Sequence, residues 1–385
     1  MSIRQYNLGS IVKPGFNPLG AQTSVTTYTY YMWSWGSNAS GQLGLGNTTD
    51  RSSPVQVGAL STWTQVSIIL NSSLAIGDSN KLYAWGSGSS GILGLGNTTT
   101  YSSPKQVGAL TNWSQISVGG GNGWCIAVKT DGTLWSWGSN TSGELGLGNT
   151  TVYSSPKQVG ALATWSKVAN GKFHNIAVKT DGTLWSWGRN YEGQLGLGTS
   201  GPGTDKSSPN QVGALTTWLK ISCGSYHTLA VKTDGTLWSW GSNSDGRLGD
   251  GTTVDKSSPV QVGALTTWSI IGPGGTSSFA TTTAGALYSW GANTQGQLGL
   301  GNTTAYSSPK QIGALTTWAV VNGTLSSCCA IKTDGTFWSW GRNAEGQLGL
   351  GNTTYYSSPM QVGALTAWGS LATMNQARGV IAFQI

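Results

Sequence analysis

Charge is what this chain has least of. Asp, Glu, Lys and Arg make up 9% of its 385 residues, and His174 and His227 are the two histidines. So few ionisable groups leave little material for acid–base or metal chemistry. No Ser/His/Asp set and no carboxylate pair is held by spacing. The four cysteines, Cys125, Cys223, Cys328 and Cys329, form no CxxC and no recurring pair. Neither a disulfide framework nor a zinc site follows from them, and the vicinal Cys328 and Cys329 read as small buried apolar residues. No apolar run approaches the roughly 18 residues of a membrane span, and residues 1–22 contain no secretory hydrophobic segment. The expectation is synthesis in a reducing cytoplasm without a signal peptide.

The net charge of +7 is modest, and its lysines repeat by position. Lys129, Lys179, Lys232 and Lys332 share one register beside a turn; Lys105, Lys157 and Lys310 share another. Positive charge spread by repetition lacks the clustered stripe that nucleic-acid binding needs. These lysines are expected in solvent, with no nucleic acid, metal or cofactor as partner.

What the chain does have is tryptophan at fixed intervals. Trp-Gly occurs at Trp35, Trp85, Trp137, Trp187, Trp240, Trp290 and Trp340, in steps of 50, 52, 50, 53, 50 and 50 residues. A second series, Ala-Leu-x-x-Trp, falls at Trp63, Trp113, Trp165, Trp218, Trp268, Trp318 and Trp368. A period of this length marks an array of small units that bury their apolar faces on one another. Each buried indole removes roughly 200 Å² from water, on the order of 4–5 kcal/mol gross.

Residues 156–188 read as four short β segments bounded by Gly, Pro, Asn and Asp. Asp181-Gly182 separates the last two and suits a two-residue hairpin turn with φ > 0 at both positions. In Leu184-Trp-Ser-Trp-Gly188 the two indoles are i and i+2, so they share one sheet face. After each Trp-Gly comes a loop too rich in glycine for a helix, and its leucine (Leu43, Leu93, Leu145, Leu195, Leu248, Leu298, Leu348) is expected to plug the adjacent unit. Almost no helix is expected.

Seven repeats of four strands specify an all-β, seven-bladed propeller. The pattern begins at Tyr28 with a strand of the fourth kind and ends at Gly379–Ile385 with one of the third kind. The two ends therefore share one blade and close the ring, which hides two otherwise open edges. The expected organisation is an extended arm over residues 1–27 and a propeller over residues 28–385.

Gly171-Lys-Phe-His174-Asn-Ile-Ala-Val, continuing through Trp187-Gly-Arg-Asn-Tyr-Glu-Gly-Gln-Leu-Gly-Leu-Gly198, resembles the repeat of the RCC1 (regulator of chromosome condensation) family, as does Gly224-Ser-Tyr-His227 through Gly251. The resemblance covers about residues 29–385 and implies the seven-bladed fold. It also implies exchange activity on a small GTPase and nucleosome binding, which in eukaryotic members rest on a β-wedge insertion and a basic N-terminal tail. This chain's insertions are two residues near Gly119–Gly123 and three near Ser200–Thr204, and its arm carries Arg4 and Lys13. The family histidine stands in two blades, as His174 and His227.

Positions identical among blades are framework, and deviations are candidates for function. His174 and His227 are read as structural hydrogen-bonding groups. The Gly44-Leu-Gly46-Asn-Thr-Thr loop has neither the Lys nor the helix of a phosphate site. Trp124 stands where the histidines stand, and either an exposed contact or a compensating core residue fits it. The residue before Ser-Ser-Pro varies around the ring as Arg51, Tyr101, Tyr153, Lys206, Lys256, Tyr306 and Tyr356. Tyr and Arg favour protein interfaces, so this loop rim is the candidate partner surface, with Trp124 beside it. Lys13, Pro14, Phe16 and Pro18 of the arm are the candidate assembly contacts.

The expected function is a non-enzymatic structural or adaptor protein that docks into a larger assembly, most plausibly a bacteriophage virion as a capsid decoration, tail or fibre-associated component. A glycan-binding propeller for host attachment and an exchange factor for a small GTPase are the alternatives.

Overall fold

The computed structural model describes residues 30–60, 62–121, 123–372 and 377–384. The arm, with Lys13, Pro14, Phe16 and Pro18, lies outside them. Seven four-stranded antiparallel sheets account for the strands. Blade 1 contains Tyr31–Gly36, Arg51–Gln56, Trp368–Leu371 and Gly379–Gln384. Blades 2 to 7 begin at Gln65, Trp113, Trp165, Trp218, Trp268 and Trp318 and run in chain order. The described residues include no α-helix, and two 3-10 turns at Asp78–Asn80 and Ser89–Gly91 are the helical pieces among them.

Closure is as expected. Gly379–Gln384 pairs antiparallel with Tyr31–Gly36, Trp35 opposite Val380, so the two ends of the chain form the middle of one blade. Blade 1 touches both neighbours, completing the ring. The first strands of successive blades face one another, which puts that edge nearest the axis. Gln115 Nε2 donates across this inner seam to the Ser166 carbonyl at 2.8 Å, and the Lys167 amine does the same to Leu219.

The sequence repeat and the blade differ by one strand. Tyr153–Gln158, the first segment of the repeat read over residues 156–188, pairs with Leu134–Gly138 and is the outer strand of blade 3. Each repeat thus spans two blades, so neighbours are tied by the chain itself. Every outer strand carries a proline at its fourth position, from Pro54 to Pro359. Proline lacks the N–H that edge pairing requires, which blunts seven otherwise open edges.

Trp165, Trp185 and Trp187 form the packing unit of blade 4. Trp165 lies 6.0 Å from Trp185 and 6.2 Å from Trp187, both edge-on. Trp187 Nε1 then crosses to blade 3 and donates to the Glu144 carbonyl at 2.9 Å. The loop leucines plug the next blade as expected: Leu145 of blade 3 is buried in one cluster with Trp165 and Trp187 of blade 4. The glycine after it has a steric reason. Gly146 holds φ +69°, and a Cβ there would lie 2.9 Å from the Trp187 indole nitrogen.

The Thr-Asp-Gly-Thr turn corrects the expectation of two left-handed residues. Gly182 alone is left-handed, at φ +79°, and its N–H donates to Lys179. Thr180 completes a four-residue turn ahead of Gly182, and the Asp181 carboxylate accepts from Thr183 N at 2.9 Å and Oγ1 at 2.7 Å.

Candidate functional site

The seven variable positions open the seven outer strands. Arg51, Tyr101, Tyr153, Lys206, Lys256, Tyr306 and Tyr356 each sit half-buried opposite the Gly that ends the preceding strand, as Gly86 faces Tyr101. One falls in each blade, so the fold spaces them around the perimeter. Tyr101, Tyr153 and Tyr306 lie 5.4 to 5.7 Å from the amines of Lys105, Lys157 and Lys310 four residues on. Arg51 borders a shallow groove between blades 1 and 2 with Asn47, Leu60, Trp63 and Pro104. The neighbouring acids are framework: Asp50, Asp205 and Asp255 accept from the backbone N–H of Asn38, Asn190 and Asn243.

Trp124 is not an exposed contact. It is fully buried, donates from Nε1 to Asn175 Oδ1 at 2.8 Å and stacks on Phe173. It fills the register that histidine fills in the next two blades. The apolar environment of blade 3 accommodates an indole there, and Gly119 on the partner strand leaves the room: a Cβ would lie 2.2 Å from the Trp124 ring.

The histidines are structural hydrogen-bonding groups, as the sequence reading expects, and each one bridges two blades. His174 Nε2 lies 3.1 Å from Thr228 Oγ1, and His227 Nε2 lies 2.9 Å from Ser278 Oγ. Thr228 and Ser278 pass hydrogen bonds to the Gln194 and Arg247 carbonyls. Burial pushes the His174 pKa down to about 3. Burial, then Arg247, then His174 itself push His227 well below its usual value. Both rings are neutral and committed to the framework. Burial likewise raises the pKa of all four cysteines, so none is a thiolate nucleophile near neutrality.

The lysines beside the turn are not solvated. Lys179 Nζ sits 3.6 Å from the Trp185 ring centre and 4.9 Å from that of Trp165, with 8% of the residue exposed. Lys129, Lys232 and Lys332 repeat this seat. Two indole faces attract the ammonium and cover its stem. Burial lowers each pKa, against a smaller pull from the turn aspartate. The same face also bears one half-exposed leucine per blade: Leu60, Leu110, Leu162, Leu215, Leu265, Leu315 and Leu365 are 44% to 53% exposed.

The sequence reading passed over Phe173, Tyr191 and Tyr226. The fold gathers them with Lys172 and Arg189 on the opposite, long-loop face, between blades 4 and 5. The signal was present in the internal alignment. The position of Tyr191 is Ala39, Ser89, Thr141, Ser244, Thr294 and Ala344 in the other blades.

Comparisons with known proteins agree with this architecture. Yeast RCC1 (Prp20), crystallised with Kap60, superposes with a TM-score of 0.82 at 17% identity, over 98% of this chain and 96% of that one. Prp20p from Saccharomyces cerevisiae, whose crystal structure was described together with its binding to Gsp1p and histones, gives 0.80 at 19% identity over 94% and 92%. The RCC1 domain-containing protein RUG3, mitochondrial, of Arabidopsis thaliana is 42% identical over 53 residues, which is 14% of this chain and 12% of that protein. The RCC1 repeat profile matches residues 31–76, 79–126 and 131–178. With the RCC1-like domain profile matching residues 162–377, more than half of its length, the chain belongs to the RCC1-like domain family.

Proposed function

We propose that this chain is a non-enzymatic scaffold whose propeller presents loop surfaces to the protein subunits of a larger assembly. The observation that carries the reading is the crown of seven half-exposed leucines on one face. A repeated apolar contact of this kind suits a broad interface better than a small-molecule pocket. The proline in every outer strand favours association through faces rather than strand edges. The two histidines bridge blades, the cysteines are buried and the turn aspartates are taken up within their own hairpins, which supports a role in presentation rather than chemistry. Arg51, Tyr101, Tyr153, Lys206, Lys256, Tyr306 and Tyr356 are the perimeter contacts of this reading. Lys13, Pro14, Phe16 and Pro18 are its arm contacts.

The assembly in this reading is a bacteriophage virion. The support is the composition: near-identical repeats, scarce charge and a surface of Ser, Thr, Asn and Gly. Cross-linking mass spectrometry on sedimented particles tests it, with links expected from Lys13 and the perimeter lysines to one structural subunit. Recovery of the protein solely in the unsedimented fraction, free of links, sinks the virion reading.

Exchange on a small GTPase is the second reading, supported by a similar fold in yeast Prp20p, which binds Gsp1p. A nucleotide-release assay decides it: acceleration by catalytic amounts of the chain replaces the scaffold reading, and an unchanged release rate removes the alternative.

A further inference from the structure

The sevenfold pattern is broken in one neighbourhood. Phe173 and Tyr226 occupy the same turn position in blades 4 and 5, where the other five blades have Arg378, Asn71, Gly123, Thr276 and Ser326. Their rings lie 6.1 Å apart at 34°. Tyr191, on the long loop of blade 4, is 54% exposed. Both insertions of the chain adjoin this group. In the first, Gly121 is packed on Phe173, with a Cβ placed 2.4 Å from the ring edge. In the second, Gly201 N–H donates to the Tyr191 carbonyl at 2.9 Å. Two insertions and three aromatic side chains depart from the framework together; Phe173 also packs on buried Trp124, while Tyr191 stands out from the blades and is 54% exposed.

Two cations complete the group. Lys172 Nζ lies 5.4 Å from the Phe173 ring centre and 5.3 Å from that of Tyr226. Arg189 Cζ lies 5.4 Å from Phe173, 5.4 Å from Tyr191 and 5.6 Å from Tyr226. Arg189 pairs with Glu192 at 2.9 Å. Among the described residues no carboxylate pairs with Lys172. The group therefore joins aromatic surface to one uncompensated positive charge.

We infer that Phe173, Tyr191 and Tyr226, with Lys172 and Arg189, form a binding site for an acidic oligosaccharide, whose sugar ring stacks on the aromatic side chains and whose carboxylate or sulfate meets Lys172. The backbone separates this ligand from a peptide. Lys172 N–H donates to Ser225, Arg189 N–H to Phe173, Ser225 N–H to Gly275 and Ser242 N–H to Tyr226. With those main-chain donors used, an extended peptide finds no strand to join. An acidic pyranose offers a ring face to an aromatic side chain and an anion to a cation, and both partners are here in Tyr191 and Lys172. The site lies on the face away from the leucine crown, so its failure leaves the scaffold reading untouched.

Calorimetric titration of the full chain tests the site. The probes are an oligogalacturonate hexamer, a heparin-derived hexasaccharide, the neutral maltohexaose and a single-stranded oligonucleotide. At least one acidic saccharide is expected to bind about tenfold tighter than maltohexaose, and to weaken with added salt. The galacturonate and heparin arms tell a carboxylate ligand from a sulfated one. Lys172→Gln and Tyr191→Ala, both on loops, are each expected to raise Kd about tenfold or more at unchanged Tm. Tyr355→Ala, at an exposed aromatic of blade 7 away from the group, is expected to leave Kd unchanged. Binding by neither acidic probe, equal binding by maltohexaose, tightest binding by the oligonucleotide, or wild-type affinity in both loop variants overturns the proposal.

Discussion

His174 Nε2 reaches Thr228 Oγ1 across the boundary between blades 4 and 5, at 3.1 Å, so a side-chain contact as well as the chain ties these two blades. His227 repeats the contact one blade further, to Ser278. Both rings are neutral because burial opposes their charge. The pKa of His174 is about 3 in the fold against roughly 6.5 in the unfolded chain. The folded state binds the proton less well, so its stability is complete above about pH 6.5 and declines as pH falls toward 3. Over that window His174 removes on the order of 5 kcal/mol. The expected result is a Tm that falls steadily below about pH 6.5. The variant His174→Gln, which retains a hydrogen-bonding amide, is expected to flatten that slope in thermal melts; an equal slope in both proteins removes the role assigned here.

Glu144 occupies the position held by Gln42, Gln194, Gln297 and Gln347 in other blades, and it is buried. Burial raises its pKa, and hydrogen bonds from Ser142 and Thr141 offset part of the effect. A carboxyl whose folded pKa is raised weakens the fold once it ionises. Its cost is absent below the unfolded pKa, near 4.3, and is fully felt above the folded one. Glu144→Gln is therefore expected to raise Tm at neutral pH. The gain should shrink to nothing near pH 4. A gain independent of pH would assign the effect to packing instead.

Blade number, strand count and closure were legible because the residues that make them, Trp in two series and Gly after Leu, recur in register. The turn was misread at Asp181-Gly182. A dipeptide rule sees two residues, while the hydrogen bond from Gly182 to Lys179 uses four. The lysines were misread for a different reason. Lys179 is distant in sequence from Trp165, and the strand pairing of Trp165 with Lys179 is what brings the amine over the indoles. Trp124 could be placed in a register but not in an environment, since the room for it comes from Gly119 on the strand paired with it. Phe173 and Tyr226 are 53 positions apart and meet because blades 4 and 5 are adjacent. Position within the repeat was readable; convergence across a blade boundary was not.

The indole seat of Lys179 makes a separable claim. Lys179→Met keeps the aliphatic stem between Trp165 and Trp185 and removes the ammonium. The expected loss is about 0.5–2 kcal/mol in urea unfolding, the range of a partly desolvated cation–π contact. In a Trp185→Leu background the same substitution should cost about half as much or less, since the nearer ring is gone. Equal losses in both backgrounds would mean the amine gains nothing from the rings. The four seats at Lys129, Lys179, Lys232 and Lys332 share no ring, so their losses are expected to add.

The strongest dependence on a single segment is that on Gly379–Gln384. It lies between Tyr31–Gly36 and Trp368–Leu371, and Val380, Ile381, Ala382 and Phe383 are all buried. Removing it unpairs a strand on each side and exposes Trp35 and Trp368, which pack edge-on at 5.9 Å. The loss exceeds that of any single core truncation, about 2–5 kcal/mol. In a ring the damage does not stay local, because blades 2 and 7 each lose the neighbour that covers them. A chain ending at Arg378 is expected to melt at least about 10 °C lower, with tryptophan fluorescence and circular dichroism changing together. Ile381→Asp, which keeps the strand and buries a charge opposite Ser34, is expected to reproduce most of that loss. Retention of the full-length Tm by the shortened chain would mean that the seven sheets are stable without closure.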